Sequence, residues 1–319
     1  MQKLYFIFLI FLFISCQNKT EADKVVGSQK LSIEIERFDQ LFYESKTIAK
    51  MSKLRQQFPF LFPAEISLNR MVETANDTLL NELNNEVQIA FLDIKPLEEE
   101  LISLFKYTKY YFKTAQTPRV ITLINEVDNA SRAIYNDSIA LISLDNYLGK
   151  DHRFYVDIPS YKTDQFNAQF IAGDLAENYL IQKTPFSDSN QFVDKMVYFG
   201  KMLYAKKMLL PKTAESLILD YSVEQFNWAE ANEYNVWSYF VENQLLFSTD
   251  AKLDLRFLQP APFSKFYLAL DTDSPGRIGC FIGYRIVDEY MKTHDLNLEE
   301  LLLTNSKLIY EQSKYKPSK

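Results

Sequence analysis

Residues 119–125 read Arg-Val-Ile-Thr-Leu-Ile-Asn, and residues 138–144 read Ser-Ile-Ala-Leu-Ile-Ser-Leu. Both stretches are short, apolar and free of glycine and proline, which is typical of strands packed in a sheet. Asn136 and Asp137 lie in the connection between them, where such residues favour a turn. The sequence therefore predicts two strands of a small sheet in the middle of the chain.

The segments before these strands are mixed. Leu31-Ser-Ile-Glu-Ile-Glu36 alternates between apolar and polar residues, which predicts a half-buried strand. Asp39 is then expected to cap a short helix. Residues 76–111 have a mostly helical pattern, and Pro96 divides it.

From residue 163 onward the pattern is almost wholly helical. Helices are predicted over residues 163–182, 190–210, 222–247, 275–292 and 298–305. The predicted fold class is α+β and mostly helical, with a small β-sheet followed by a helical block. No linker-like stretch interrupts this part, so we predict a single globular α+β domain over residues 31–319.

The N-terminus has the layout of a bacterial export signal. Lys3 precedes an unbroken apolar run from Leu4 to Ile14, which is too short to span a bilayer as a stable helix. Ser15 and Cys16 follow, as at the end of a lipobox. We therefore predict a signal peptide over residues 1–15, a lipid attachment site at Cys16 and a lipid anchor with a polar tether over residues 16–30. Acyl chains such as palmitate would hold the protein on a membrane.

Charge and cysteine content exclude several classes of function. Loss of Lys3 with the signal leaves 35 − 1 = 34 basic residues against 42 acidic ones, a net charge of −8. No basic cluster is present, which argues against a nucleic-acid partner. Cys280 is the only cysteine besides Cys16, so no disulfide within the chain is possible, and we expect Cys280 to be buried. No cofactor is predicted.

The helix predicted after the two strands invites comparison with zincin-type metallopeptidases, in which a helix carries two histidines one turn apart. At about 100° per residue, Gly173 and Glu177 take those two positions on one face. The only histidines, His152 and His294, are not spaced as a ligand pair. A histidine-based zinc site is therefore excluded, and no metal is predicted. One interpretation of this order of elements is a degenerate zincin-like metallopeptidase scaffold.

Asp174 and Glu177 nevertheless remain candidate functional residues on this helix. Glu177 could simply be a helix carboxylate satisfied by a neighbouring Lys, Arg or Tyr. The two could also serve as an acid/base pair, or as part of an oxygen-rich cation site completed by other segments. The sequence leaves these alternatives open.

A second candidate cluster lies at the start of the helix predicted over residues 275–292, where Ser274 is expected to be the N-cap and Pro275 the first helical residue. Gly276, Gly279 and Gly283 are spaced to form a flat strip on this helix. The strip indicates either a close approach of another element or, with Arg277 and the free N–H groups of the helix start, an anion site.

Several of these segments together resemble the gliding motility lipoprotein family GldB of the Bacteroidota. The resemblance covers nearly the whole mature chain, and its most specific block is Asp273-Ser-Pro-Gly-Arg-Ile-Gly279 with Gly283. The chain departs from the family pattern at Cys280, where an aromatic residue is usual. The other matching segments are Ile35-Glu-Arg-Phe-Asp39, Phe58-Pro-Phe60, Tyr198-Phe-Gly-Lys201, Leu209-Leu-Pro211 and Ala261-Pro-Phe-Ser-Lys-Phe-Tyr267.

The resemblance implies an envelope lipoprotein that is needed for gliding and is associated with the motility and type IX secretion apparatus. It supplies no catalytic residues. Two functions follow as expectations: a non-catalytic component that binds other gliding or secretion proteins of the envelope, or an envelope hydrolase or carboxylate–metal enzyme that uses Asp174 and Glu177. No acidic residue directly follows Cys16, which favours a domain facing the periplasm. The sequence does not decide between inner and outer membrane.

Overall fold

A computed structural model describes residues 20–186, 190–268 and 271–319 of the protein. The predicted signal peptide and Cys16 lie outside the described residues, so their predictions stand on the sequence alone.

The sheet of the described residues has four strands: β1 (Ile35–Arg37), β2 (Arg119–Leu123), β3 (Ala133–Tyr135) and β4 (Ile139–Ser143). Their order is β1-β2-β4-β3; β1, β2 and β4 run parallel, and β3 is antiparallel to β4. The two strands predicted in the middle of the chain are confirmed. The strand predicted at residues 31–36 is reduced to three residues, and β3 was missed because it has only three.

Sixteen α-helices surround the sheet in the described residues. Those before the last strand are α1 (Glu21–Ser28), α2 (Phe38–Glu44), α3 (Ile48–Gln57), α4 (Leu68–Asn76), α5 (Thr78–Ala90) and α6 (Lys95–Tyr111). Those after it are α7 (Ser160–Thr163), α8 (Ile171–Lys183), α9 (Phe192–Leu209), α10 (Glu215–Ile218), α11 (Val223–Ala231), α12 (Glu233–Glu242), α13 (Lys252–Phe257), α14 (Ile278–Met291), α15 (Leu298–Leu303) and α16 (Ser306–Ser313). The predicted fold class, α+β and mostly helical, is confirmed.

Three local predictions are wrong. The polar tether predicted for residues 16–30 contains α1, whose Ala22 and Val26 are buried in the main core. Asp39 is not the N-cap of α2: it lies inside the helix, and Arg37 precedes it as the cap residue. The continuous helix predicted over residues 222–247 is two helices, α11 and α12.

The alternating strand residues divide the core into two parts. Ile121 faces a smaller apolar cluster formed with α2, α3 and α4, which includes Phe38 and Met51. Val120 and Ile142 face the opposite side and join the large cluster that contains α8, α9 and α14. Because successive strand side chains point to opposite faces, the short sheet is packed on both sides.

Helix α8 lies along the outer edge of β3. Asn178 accepts a hydrogen bond from the backbone N–H of Tyr135 at 2.8 Å, and Gln182 donates one to the Tyr135 carbonyl at 2.6 Å. These two side chains therefore bond the N–H and the carbonyl of Tyr135, which on an uncovered edge strand would be free to pair with a strand of another chain. The contact also fixes the position of α8, which carries the candidate carboxylates.

Helices α9 and α14 cross at two glycines. A Cβ atom at Gly283 would lie 1.8 Å from the carbonyl oxygen of Met196, and one at Gly200 would lie 2.2 Å from the carbonyl oxygen of Gly283. These distances are far below van der Waals contact, so the backbones approach as closely as glycine permits. The close approach predicted for the glycine strip is confirmed at Gly283.

No helix within residues 20–186, 190–268 and 271–319 is long and apolar enough to cross a membrane.

Candidate functional site

Six charged residues meet where α8, α9 and the start of α14 approach each other. Three are basic and three are acidic: Arg132, Lys206, Arg277, Asp174, Glu177 and Asp220. Their formal charges cancel. Asp174 and Glu177 are both on α8, Lys206 is on α9, and Arg277 directly precedes α14.

The carboxylate of Asp174 is occupied on both oxygens. Arg132 donates to Oδ1 at 2.6 Å, and the Tyr147 hydroxyl donates to Oδ2 at 2.8 Å. Burial raises the pKa of Asp174, and Arg132 opposes this effect without overcoming it. The structure thus shows Asp174 as a carboxylate satisfied by its neighbours, which is the alternative that the sequence suggested for Glu177.

Asp220 is likewise used on both oxygens, by Lys206 at 2.9 Å and by Arg277 at 2.8 Å. Its side chain is only 5% exposed. Burial alone would raise the pKa of Asp220, but the two cations outweigh burial and lower it. The pKa of Lys206 is raised, since its burial is outweighed by Asp220 and then Glu177.

Lys206 fills the space above the two zincin-like positions of α8. Its Cε lies 3.1 Å from the position that a Cβ would take at Gly173, and its Nζ lies 3.5 Å from Oε2 of Glu177. A side chain at position 173 would require Lys206 to move. The degenerate zincin scaffold remains a prediction, and in this geometry an ammonium group lies between the two positions.

The backbone is strained at this cluster. Asp220 and Arg277 both adopt left-handed conformations, with φ of 58° and 60°, and their side chains are paired with each other. Non-glycine residues in this region cost on the order of 1 kcal/mol, and such residues are concentrated at functional sites.

A cleft with a volume of about 410 Å³ opens over the cluster. Arg132, Asp174, Glu177, Asp220 and Arg277 line it, together with the apolar and aromatic side chains Tyr161, Ile181, Phe199, Leu258 and Pro260. A smaller cleft of about 130 Å³ shares Asp220 and Arg277 and extends towards Ala261 and Gly276.

The predictions for the start of the glycine helix are partly wrong. Helix α14 begins at Ile278, so Ser274 is not its N-cap and Pro275 is not its first residue. Ser274 instead donates to the carbonyl oxygens of Ser264 and Asp271. The left-handed backbone of Arg277 delays the helix, a feature that the sequence pattern does not indicate.

Gly276 and Gly279 contact different neighbours from Gly283, so the three do not form one strip. A Cβ at Gly276 would lie 2.2 Å from the Ala261 carbonyl oxygen, and one at Gly279 would lie 2.9 Å from Leu258. The anion site suggested for Arg277 is already filled by the carboxylate of Asp220. The backbone N–H of Ile278 donates to Ser264 at 3.3 Å.

Sequence reasoning found Asp174, Glu177 and Arg277, but missed Arg132, Lys206 and Asp220. Lys206 lies on α9 among mostly buried residues, and its own side chain is 2% exposed. A lysine on a buried helical face needs a buried hydrogen-bond acceptor for its ammonium group, and this need was the available signal. The sequence separation between Lys206 and Asp220 does not predict that the two residues pair, because their contact depends on the conformation of the turn after α10.

In the described residues, no group of three or more His, Cys, Asp or Glu side chains could hold a metal ion. Cys280 is buried as predicted, and burial raises the pKa of its thiol to about 11.

Comparison with protein families finds a match to the family described as gliding motility protein GldB, over residues 18–317. The chain belongs to this family. The match spans the described domain almost completely and begins two residues after Cys16. Comparison with curated proteins and with solved structures finds no match. Family membership makes the chain a gliding motility lipoprotein, which fits an envelope anchor.

Proposed function

We propose that the chain is an accessory lipoprotein needed for gliding that acts through protein–protein contacts rather than catalysis. Cys16 would anchor it, its domain would face the periplasm, and its partners would be proteins of the motility and type IX secretion apparatus. Membership of the GldB family supports the gliding role, and the neutralised charge cluster supports the non-catalytic one.

The observation that carries the non-catalytic proposal is the state of Asp174. Both its oxygens hold protein donors, and its side chain is 9% exposed. A general base or a metal ligand at this position would first have to leave Arg132, which would bury an unpaired guanidinium. A hydrolase or carboxylate–metal role for Asp174 would therefore require breaking this buried pair.

The anchored protein gives a direct test of the contact role. We expect a deletion strain to lose gliding. We also expect the lipid-anchored protein, purified from detergent-solubilised membranes, to bring down a specific envelope protein. The matched control is Cys16→Ala, which should recover little of that protein because it is not held at the membrane. Normal gliding of the deletion strain, or recovery of no envelope protein, contradicts the proposal.

The periplasmic orientation has its own test. Protease added to intact cells should leave the protein whole, and the same protease should degrade it after the outer membrane is permeabilised. Degradation in intact cells would place the domain on the cell surface instead.

A further inference from the structure

Glu177 differs from the other two carboxylates of the charge cluster. Among the described residues its only polar contact is with Lys206 at 3.5 Å, through Oε2, and Oε1 accepts no hydrogen bond. Lys206 itself lies closer to Asp220, at 2.9 Å. Glu177 is also the most exposed of the three, at 30% of its side chain. The formal charges of the cleft lining balance, but one oxygen of Glu177 has no hydrogen-bond donor among the described residues.

Apolar surface flanks this carboxylate inside the cleft. Ile181 lies one turn after Glu177 on α8 and is 48% exposed, and Phe199 of α9 lines the same cleft. Tyr161 also lines the cleft and is half-buried. A carboxylate beside aliphatic and aromatic walls matches a long basic side chain, whose methylene stem packs on apolar groups while its charged end is bonded.

The charge of the whole chain favours the same ligand class. The mature net charge of −8 attracts basic segments and repels acidic ones.

We propose that the cleft binds a segment of a partner protein through one lysine or arginine side chain, whose charged end bonds Oε1 of Glu177 while its stem lies between Ile181 and Phe199. This inference rests on the proposed contact function and specifies its site and the chemistry of the partner.

Site-specific photocrosslinking in gliding cells tests the inference with the full, anchored chain. A benzophenone amino acid is placed at Ile181, and at Ile89 as the matched control, since Ile89 is 74% exposed and does not line the cleft. The Ile181 probe should give a discrete adduct, and mass spectrometry should find a lysine or arginine within about three residues of the crosslinked partner position. Glu177→Gln should reduce the yield about tenfold, whereas Glu177→Asp should retain much of it.

Three results overturn the inference: no adduct from Ile181, an adduct unaffected by Glu177→Gln, or a crosslinked segment without a basic residue. Both variants must accumulate normally, which is expected because Lys206 keeps its closer partner Asp220. If probes elsewhere on the surface form adducts and the Ile181 probe does not, the contact function stands and only the cleft is wrong. If no surface probe forms an adduct, the contact function itself fails.

Discussion

At the scale of single residues, the crossing of α9 and α14 leaves no space for a side chain at Gly283. We predict that Gly283→Ala lowers the free energy of unfolding by about 3 kcal/mol, because the new Cβ would overlap the Met196 carbonyl oxygen. Gly27→Ala is the matched control: no atom lies within 4 Å of its Cβ position, so the change should be neutral or stabilising by about 0.5 kcal/mol. Urea unfolding of both variants measures the difference. Equal stability of the two would contradict the crossing.

Lys201 gives a pH-dependent prediction. Its side chain is 2% exposed, and its ammonium donates to the carbonyl oxygens of Leu302 and Thr304 at the end of α15. Burial lowers the pKa of Lys201 from 10.5 to about 8. Between these pH values the unfolded chain binds more protons at this position, so the folded state gains stability as the pH rises.

Relative to Lys201→Met, which does not titrate, the native chain should therefore gain on the order of 3 kcal/mol between pH 7 and pH 10.5. Urea unfolding at pH 7 and at pH 10.5 compares the two proteins. A stability difference that stays constant across this range would show that the pKa of Lys201 is not lowered.

Predictions for single residues succeeded where the residue type or its spacing along the sequence was sufficient evidence. The buried Cys280 and the close approach at Gly283 followed from composition and spacing. Ser274 was assigned to the wrong position because the left-handed backbone of Arg277 delays the helix, and that conformation is held by the pairing with Asp220. Arg277 and Asp220 are 57 positions apart, and a contact over such a separation cannot be predicted from the local sequence pattern.

At the scale of elements, α8 covers the edge of β3 through two side chains. Asn178→Ala combined with Gln182→Ala would leave the N–H and the carbonyl of Tyr135 without these partners. We expect a loss of about 2 kcal/mol in unfolding free energy and faster hydrogen exchange at the Tyr135 amide. Lys183→Ala, the next residue on α8 with its side chain 32% exposed, is the control. Unchanged exchange at Tyr135 would contradict the role given to α8.

Element boundaries were less predictable than element types. The helix predicted from residue 163 begins at Ile171, after a separate short helix α7, because Asn167 starts a new turn by accepting the N–H of Gln169. Gly173 and Glu177 nevertheless lie on the same helix, as predicted. The segment predicted as a tether contains a helix, α1, which packs against α6 and buries Ala22 and Val26. The mostly polar composition of the segment gives no indication of this packing.

At the scale of the whole molecule, the lipid anchor proposed at Cys16 is expected to decide where the protein lies. Cys16→Ser should abolish incorporation of labelled palmitate and move the protein from the membrane fraction to the soluble fraction, since the acyl chains supply the membrane affinity. Fractionation beside the unchanged protein measures this. Retention of the variant in membranes would show that another feature anchors the chain.

The central claim is that the protein works stoichiometrically, as a bound component, and not by turnover. Gliding speed measured against the amount of protein per cell, set by an inducible promoter, tests this most directly. A component that occupies partner sites should lose function roughly in proportion to its depletion, so cells with one twentieth of the normal amount should barely glide. Full gliding speed at that level would contradict the claim, because only a catalyst could serve the apparatus at so small a dose.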